Sequence, residues 1–102
     1  MNNMFRTRNI INSVINIVLT FVEALLLFRL VLKLFAANEG ASFVRWIYQT
    51  SEPLLKPFEG MLPTVVESGA VVEMSTLFAI MVYAVVGYLL IAIVDAVYRA
   101  SK

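Results

Sequence analysis

Carboxylates and amines carry almost all of the reactive chemistry that this chain can offer. The 102 residues include seven acidic and eight basic side chains, and they contain neither cysteine nor histidine. The sequence therefore excludes disulfides, thiolate nucleophiles, imidazole catalysis and the usual zinc ligands. No nucleophile, base and metal set can be assembled from what remains, so we expect a protein that is not an enzyme, with no catalytic residue, cofactor or bound metal.

Two of the carboxylates lie in long apolar stretches. Glu23 is near the middle of Ile10–Phe35, and Asp95 is close to the end of a second apolar stretch. An ionisable side chain at membrane depth needs a partner, so each is a candidate functional residue. If the two stretches run antiparallel, equal depth predicts a hydrogen bond from the Tyr88 hydroxyl to Glu23. The same geometry places Asp95 opposite Asn12.

A second pairing is predicted at the other end of the two stretches. Arg29 and Lys33 reach the depth of Glu73 and Ser75 in the same antiparallel arrangement. A salt bridge there would fix the connecting residues against both helices. An acid and a hydroxyl at the start of the second helix also suit the positive end of the helix dipole.

The elements that must position these side chains are two helices long enough to span a membrane. Met74–Val94 carries no charge, and a hydrocarbon core roughly 30 Å thick needs about 20 apolar residues. Hydrophobic residues make up 61% of the chain, against about 45 to 50% in soluble domains. We predict an all-α membrane protein in one domain, residues 1–102, with an antiparallel pair of transmembrane helices over about 10–36 and 73–98.

One face of the first helix is polar. At about 100° per residue, six polar side chains fall within one sector of this helix. This polar stripe consists of Asn9, Asn12, Ser13, Asn16, Thr20 and Glu23. Lipid cannot solvate it, so it must face the second helix, another copy of the chain or water. The stripe either supplies hydrogen bonds between helices or lines a polar path through an oligomer.

Residues 37–72 connect the two helices. Ala41–Glu52 places apolar side chains at helical spacing and includes Trp46 and Tyr48, residue types that favour a membrane interface. We predict an amphipathic helix that lies on the bilayer and ends at Pro53.

An apolar run interrupted by three prolines follows that helix. Pro53, Pro57 and Pro63 fix the backbone and remove donors, which predicts an interfacial segment. The side chains that this segment would place at the membrane surface are Leu54, Leu55 and Phe58. Residues 64–72 are expected to form a turn into the second helix.

These central residues resemble a known family. SEPLLKPFEGMLP followed by VVEMSTLFAIMVYAVVGYLL is similar to the YggT family, also called YlmG. The residues on the family's proline core are Pro53, Leu54, Leu55, Pro57, Phe58, Leu62 and Pro63. Glu73 and Ser75 stand at the family's Asp and Ser, and Arg29 looks like its arginine near the end of the preceding helix. The chain departs from the pattern at Glu52, at the Glu59–Gly60 pair and at Thr76.

The resemblance implies a cellular role rather than a catalysed reaction. It associates the chain with cell-division gene neighbourhoods, septum organisation and tolerance of osmotic or ionic stress. We expect a non-enzymatic scaffold or assembly factor. The alternative is an oligomeric channel or ion-transport component lined by the polar stripe.

Charge and topology set the expected partners and location. A net charge of +1 provides no field for nucleic acid, so none is expected. Expected partners are the lipid bilayer, a second copy of the chain and proteins of the membrane or division machinery. Basic residues flank both ends of the chain, namely Arg6, Arg8, Arg99 and Lys102. This pattern predicts cytoplasmic termini, and the family resemblance implies that the membrane is the bacterial inner membrane.

Overall fold

The first helix, α1, is the longest element of the computed structural model, which describes residues 2–100. It covers Asn2–Leu34 and so begins before the predicted start at residue 10. Residues 2–9 contain no proline or glycine, and the Thr7 hydroxyl donates to the Asn3 carbonyl at 2.7 Å, so nothing interrupts the helix there. Lys102, used above for the orientation, lies outside the described residues.

The end of α1 is a Schellman motif. The Ala37 amide donates to the Leu32 carbonyl at 2.9 Å, and the Ala36 amide donates to the Lys33 carbonyl at 3.1 Å. Ala36 adopts a left-handed conformation with φ 52°, at a position where glycine is usual. These bonds satisfy carbonyls that the helix end would otherwise leave free, and they turn the chain towards the next element.

The second helix, α2, covers Ser42–Leu55 and contains Pro53. The prediction that Pro53 ends this helix is wrong. Pro53 lies in the last turn, where its ring removes one backbone donor and few residues follow that it could disturb. A short 3₁₀ turn at Lys56–Phe58 continues directly from α2, with Pro57 in its first turn.

Two short strands follow, so the fold is mostly helical but not all-α as predicted. β1 covers Thr64–Glu67 and β2 covers Ala70–Glu73, paired antiparallel with Val65 opposite Val72. Ser68 and Gly69 connect them with φ of 53° and 86°. Two successive residues of positive φ match the twist of a tight β-hairpin, and this explains the strands where a simple turn was expected.

The third helix, α3, covers Met74–Ala100 and begins at the residue after β2 ends. It packs along α1. Asn12 contacts Asp95 at one end, Leu19 lies against Gly87 further along, and α1 reaches Glu73 at the other end. Residues from the start of α1 therefore contact residues near the end of α3, and residues from the end of α1 lie close to the start of α3.

The buried core is small and lies at one end of the helix pair. Leu26, Leu55, Phe58 and Ala79 form one cluster. Phe58 packs edge-on against Phe78 and Tyr83 at ring distances of 5.7 and 5.8 Å. The Leu55 and Phe58 side chains are therefore buried against α1 and α3, and the prediction that they lie at the membrane surface is wrong.

Outside this core, both long helices expose apolar side chains. Only 17% of the most apolar window of α1 and 11% of that of α3 are buried within the chain. Each helix is long and apolar enough to cross a membrane. Such exposure is what a lipid environment would cover, whereas a helix from the core of a soluble protein would be mostly buried.

Candidate functional site

Arg29 is the most enclosed charged side chain that the structure describes, and the candidate site is built around it. It lies in the last turns of α1 with 6% of its surface exposed. A buried guanidinium is costly unless its N–H groups are bonded, so Arg29 needs acceptors from other elements. Those acceptors come from α2 and from the β2–α3 junction.

Glu73 supplies the main counter-charge. Arg29 Nε donates to Glu73 Oε1 at 2.7 Å and Arg29 Nη2 donates to Oε2 at 3.2 Å, which is a bidentate pair. The Thr76 hydroxyl, fully buried in the first turn of α3, also donates to Glu73 Oε1 at 2.9 Å. The salt bridge predicted between Arg29 and the start of the second helix is thus present in the structure.

The remaining guanidinium nitrogen is held by α2. Arg29 Nη1 donates to the Tyr48 carbonyl at 3.0 Å and to the Ser51 hydroxyl at 3.1 Å, and it lies 3.1 Å from Glu52 Oε2. All three guanidinium nitrogens therefore donate within the protein. We refer to this set as the Arg29 cluster, which consists of Arg29, Tyr48, Ser51, Glu52, Glu73 and Thr76.

The electrostatics of the cluster favour the ionised pair. Burial alone would raise the pKa of Glu73, but the hydrogen bonds and charge of Arg29 outweigh it and hold that pKa below its usual value of 4.5. Burial raises the pKa of the Tyr48 phenol. The Tyr48 ring also lies 5.6 Å from the Arg29 guanidinium and 4.4 Å from Lys33 Nζ, within range of cation–π attraction.

A polar cavity of about 190 Å³ opens beside the cluster. Its walls include Arg29, Glu52 and Glu73 together with Glu59 and Ser75. The Ser75 hydroxyl donates to the Phe58 carbonyl at 3.4 Å, so it braces the 3₁₀ turn. The arrangement fastens α1, α2, β2 and α3 to one another, and within the described residues no group of His, Cys, Asp or Glu is suited to a metal ion.

At the far end of the helix pair, the structure brings together one of the two predicted intramembrane pairs. Asn12 Nδ2 donates to Asp95 Oδ1 at 3.1 Å. Glu23 and Tyr88 are not brought together: Tyr88 is 73% exposed, and Glu23 Oε1 is buried without a hydrogen-bond partner in the described residues. The sequence argument matched the depths of these two residues but did not resolve which side of α3 faces α1.

The three prolines of residues 53–63 lie in three different parts of the fold. Pro53 lies in α2, where the Leu54 carbonyl accepts a hydrogen bond from the Tyr83 hydroxyl at 2.7 Å. Pro57 lies in the 3₁₀ turn, and Pro63 is exposed just before β1. The prolines therefore shape the support of the β-hairpin rather than one continuous surface.

Sequence reasoning missed Tyr48, Ser51 and Thr76 as partners of the cluster. Tyr48 contributes a backbone carbonyl, which no side-chain pattern reveals. Ser51 lies seven residues after Val44 on the buried face of α2, and that helical spacing was a usable signal. Thr76 lies three residues after Glu73, the spacing at which a hydroxyl reaches back to an acid at a helix start.

Together, the fold and the Arg29 cluster define a small, mostly helical protein whose two membrane-length helices are joined by a braced connecting segment. A family model described as CCB3/YggT matches residues 8–94. The chain belongs to this family, as the resemblance from its central residues predicted. No curated protein and no solved structure matches the chain.

Proposed function

We propose that the chain is a non-enzymatic integral membrane protein of the bacterial inner membrane that acts as a scaffold or assembly factor in cell division and envelope organisation. Membership of the CCB3/YggT family supports the membrane setting. The observation that carries the proposal is an exposed apolar surface held on a braced support. That surface, which we call the tip surface, consists of Met61, Leu62, Val65 and Val66.

The tip surface has the properties of a docking site. Every residue from 59 to 69 is exposed, and Met61 and Val66 expose 56% and 65% of their surfaces. Several exposed apolar side chains within one short segment are typical of interaction sites in folded proteins. β1 is exposed along its whole length, and within residues 2–100 it pairs with β2 alone, so its outer edge is open to an extended segment of a partner.

The support beneath the tip surface keeps it in place. The Glu73 carboxylate at the end of β2 is bound to Arg29 of α1, and the Ser75 hydroxyl holds the 3₁₀ turn before β1. A preorganised surface loses little conformational entropy when a partner binds, which favours recognition. In this interpretation the Arg29 cluster serves the scaffold by positioning the β-hairpin.

Site-specific photocrosslinking in cells tests the proposal. A photoreactive residue at Val66 is expected to form a discrete adduct with a membrane or envelope protein. The matched control is a photoreactive residue at Ile93, which is similarly exposed on α3 but faces the proposed lipid, and it should give lipid adducts. Adding Val65→Asp should reduce the Val66 adduct several-fold, because it places a charge on the strand that the partner segment is proposed to bind.

The same experiment distinguishes a protein partner at the tip surface from lipid. Adducts at Val66 that contain only lipid, or that are identical to those at Ile93, would show that the tip surface rests on the membrane and would overturn the scaffold role. An adduct insensitive to Val65→Asp would likewise remove the tip surface as the docking site.

The proposal places both termini in the cytoplasm and the β-hairpin outside it. Because the chain has no cysteine, single cysteines can be introduced at Asn3 and Ser68. An impermeant thiol reagent applied to intact cells should label position 68 and leave position 3 unlabelled until the cells are opened. The reverse pattern would invert the topology.

A further inference from the structure

Most of the polar stripe of α1 has no partner within the chain. Asn9, Ser13, Asn16 and Thr20 are exposed, and their side chains make no hydrogen bond within residues 2–100. Glu23 is half-buried and its Oε1 atom is unpaired in the same described range. These five residues lie inside the membrane-length helix Asn3–Leu34.

The other elements do not cover this face. Leu19 and Leu26, two of the α1 side chains that pack against α3, lie about a quarter turn from the centre of the stripe. Asn12, at the edge of the stripe nearest α3, is the member that finds a partner there. The contacts of α2 with α1 lie further along, as between Phe28 and Phe43 at a ring distance of 6.0 Å.

In hydrocarbon, unpaired amides and hydroxyls are unfavourable because lipid tails offer neither donors nor acceptors. The five residues therefore need a polar occupant opposite them.

The spacing of these five residues indicates what that occupant is. Positions 9, 13, 16, 20 and 23 are separated by alternating steps of four and three, and the alternation continues through Leu27 and Leu30. This is the a/d repeat by which one helix packs along another in a coiled coil.

We propose that this face of α1 binds the same face of a second copy of the chain, as a parallel α1–α1 pair. Copies inserted in the same direction carry each stripe residue at the same depth, so a two-fold axis along the membrane normal brings Asn16 to Asn16. An amide has both donors and an acceptor and can pair with its own copy. The proposal goes beyond the scaffold role and needs no other protein.

The flanks of the stripe argue against a water-filled path along it. Ile10 and Ile17 border one side and are exposed by 58% and 68%, while Leu19 and Leu26 on the other side are covered by α3. Apolar flanks close over a paired polar seam and leave it dry, as at the edges of a coiled-coil contact. A pore would need polar residues on those flanks.

Cysteine crosslinking in liposomes that contain only this protein tests the pairing. Disulfides form between copies only where Cα atoms come within about 7 Å, so the a/d positions are selective. Ser13→Cys and Thr20→Cys should crosslink efficiently on oxidation. Val14→Cys and Val18→Cys are the matched controls, since both residues are similarly exposed on other faces of α1. Crosslinking at the valine positions equal to that at Ser13 and Thr20 would overturn the proposal.

Association can be measured without cysteine crosslinks. Donor- and acceptor-labelled copies should show energy transfer in the same liposomes, and Asn16→Leu should weaken the association about tenfold through loss of an interhelical hydrogen bond. Ile17→Leu, at the neighbouring exposed residue, should leave association within twofold of the parent. A parent chain that stays monomeric as the protein-to-lipid ratio rises would refute the pairing. Equal association of Asn16→Leu and the parent would also refute it.

Discussion

Two charged residues of α1, only six positions apart, are treated differently by the fold. Arg29 is buried and donates to α2 and to Glu73 from all three guanidinium nitrogens. Glu23 lies near the middle of α1, and one of its carboxylate oxygens has no hydrogen-bond partner within residues 2–100. The difference lies in how many elements surround each position. Within the described residues, α1, α2 and β2 meet at Arg29, whereas α1 and α3 are the elements near Glu23.

The comparison shows what a pair of spanning helices can and cannot do alone. A helix pair offers one line of contact, which can bury a single polar pair such as Asn12 and Asp95. A charge with several donors needs acceptors from more directions. The connecting segment folds back as α2 and β2 to provide them, so the Arg29 end has a small packed core and the middle is a helix contact.

The largest effect should follow from removing the charge at the braced end. Arg29→Met leaves the half-buried Glu73 carboxylate without its counter-charge and should lower the free energy of unfolding by about 3 to 5 kcal/mol. Trp46, the one tryptophan of the chain, reports unfolding by fluorescence in detergent. Lys33→Met is the control. Lys33 lies 4.0 Å from the exposed Glu39, and its loss should cost about 1 kcal/mol or less. Equal effects of the two substitutions would contradict the comparison.

Acid should weaken the braced end through Glu73. The pKa of Glu73 is lower in the folded chain than in the unfolded chain, so its contribution to stability is complete above about pH 4.5 and is lost as the pH falls through the lower folded-state pKa. The unfolding free energy of the parent should therefore approach that of Glu73→Gln on acidification. A difference between the two proteins that stays constant from pH 7 to pH 3 would exclude this assignment.

A smaller effect is expected at the centre of the helix pair, where α1 and α3 approach closely. A Cβ atom at Gly87 would overlap Leu19 Cδ2. Gly87→Leu should therefore lower the unfolding free energy by about 1 to 3 kcal/mol through overpacking. Leu19→Ala in the same chain should recover most of the loss because it opens the space. Failure of this rescue would show that the helices do not meet at these residues.

The smallest effect should come from Glu23 and Tyr88. Since neither side chain has the other as a partner, Glu23→Leu and Tyr88→Phe should each change the unfolding free energy of the isolated chain by less than about 0.5 kcal/mol. Measurement at high dilution in detergent keeps copies apart, so the result reports only contacts within one chain. A loss of about 1 to 2 kcal/mol for Glu23→Leu would restore the pairing that the sequence predicted.

The sequence predicted those parts of the fold that depend on composition and depth. The two membrane-length helices follow from long apolar stretches, and the Arg29–Glu73 and Asn12–Asp95 contacts follow from matching depths. Depth does not specify rotation about a helix axis, and this is why Tyr88 was paired with Glu23. Rotation is set by close contacts such as that of Leu19 with Gly87, which are properties of the packed pair.

The connecting segment was harder to predict because its structure depends on tertiary contacts. Phe58 looks like an interfacial residue in a proline-rich run, but it is buried because α2 folds back onto α1 and α3. The β-hairpin had a local signal in Ser68–Gly69 between two pairs of valines, a turn dipeptide flanked by β-branched residues. Because this stretch directly precedes a long apolar helix, the sequence favoured a simple turn into that helix.

The junction between β2 and α3 has a mechanical consequence. β2 ends at Glu73 and α3 begins at Met74, so no linker separates the β-hairpin from the spanning helix. A force applied to the β-hairpin is therefore transmitted directly to α3. The Arg29–Glu73 ion pair holds their junction against α1, so it is the point about which α3 would turn. Tilting the β-hairpin must either rotate α3 about that point or break the ion pair.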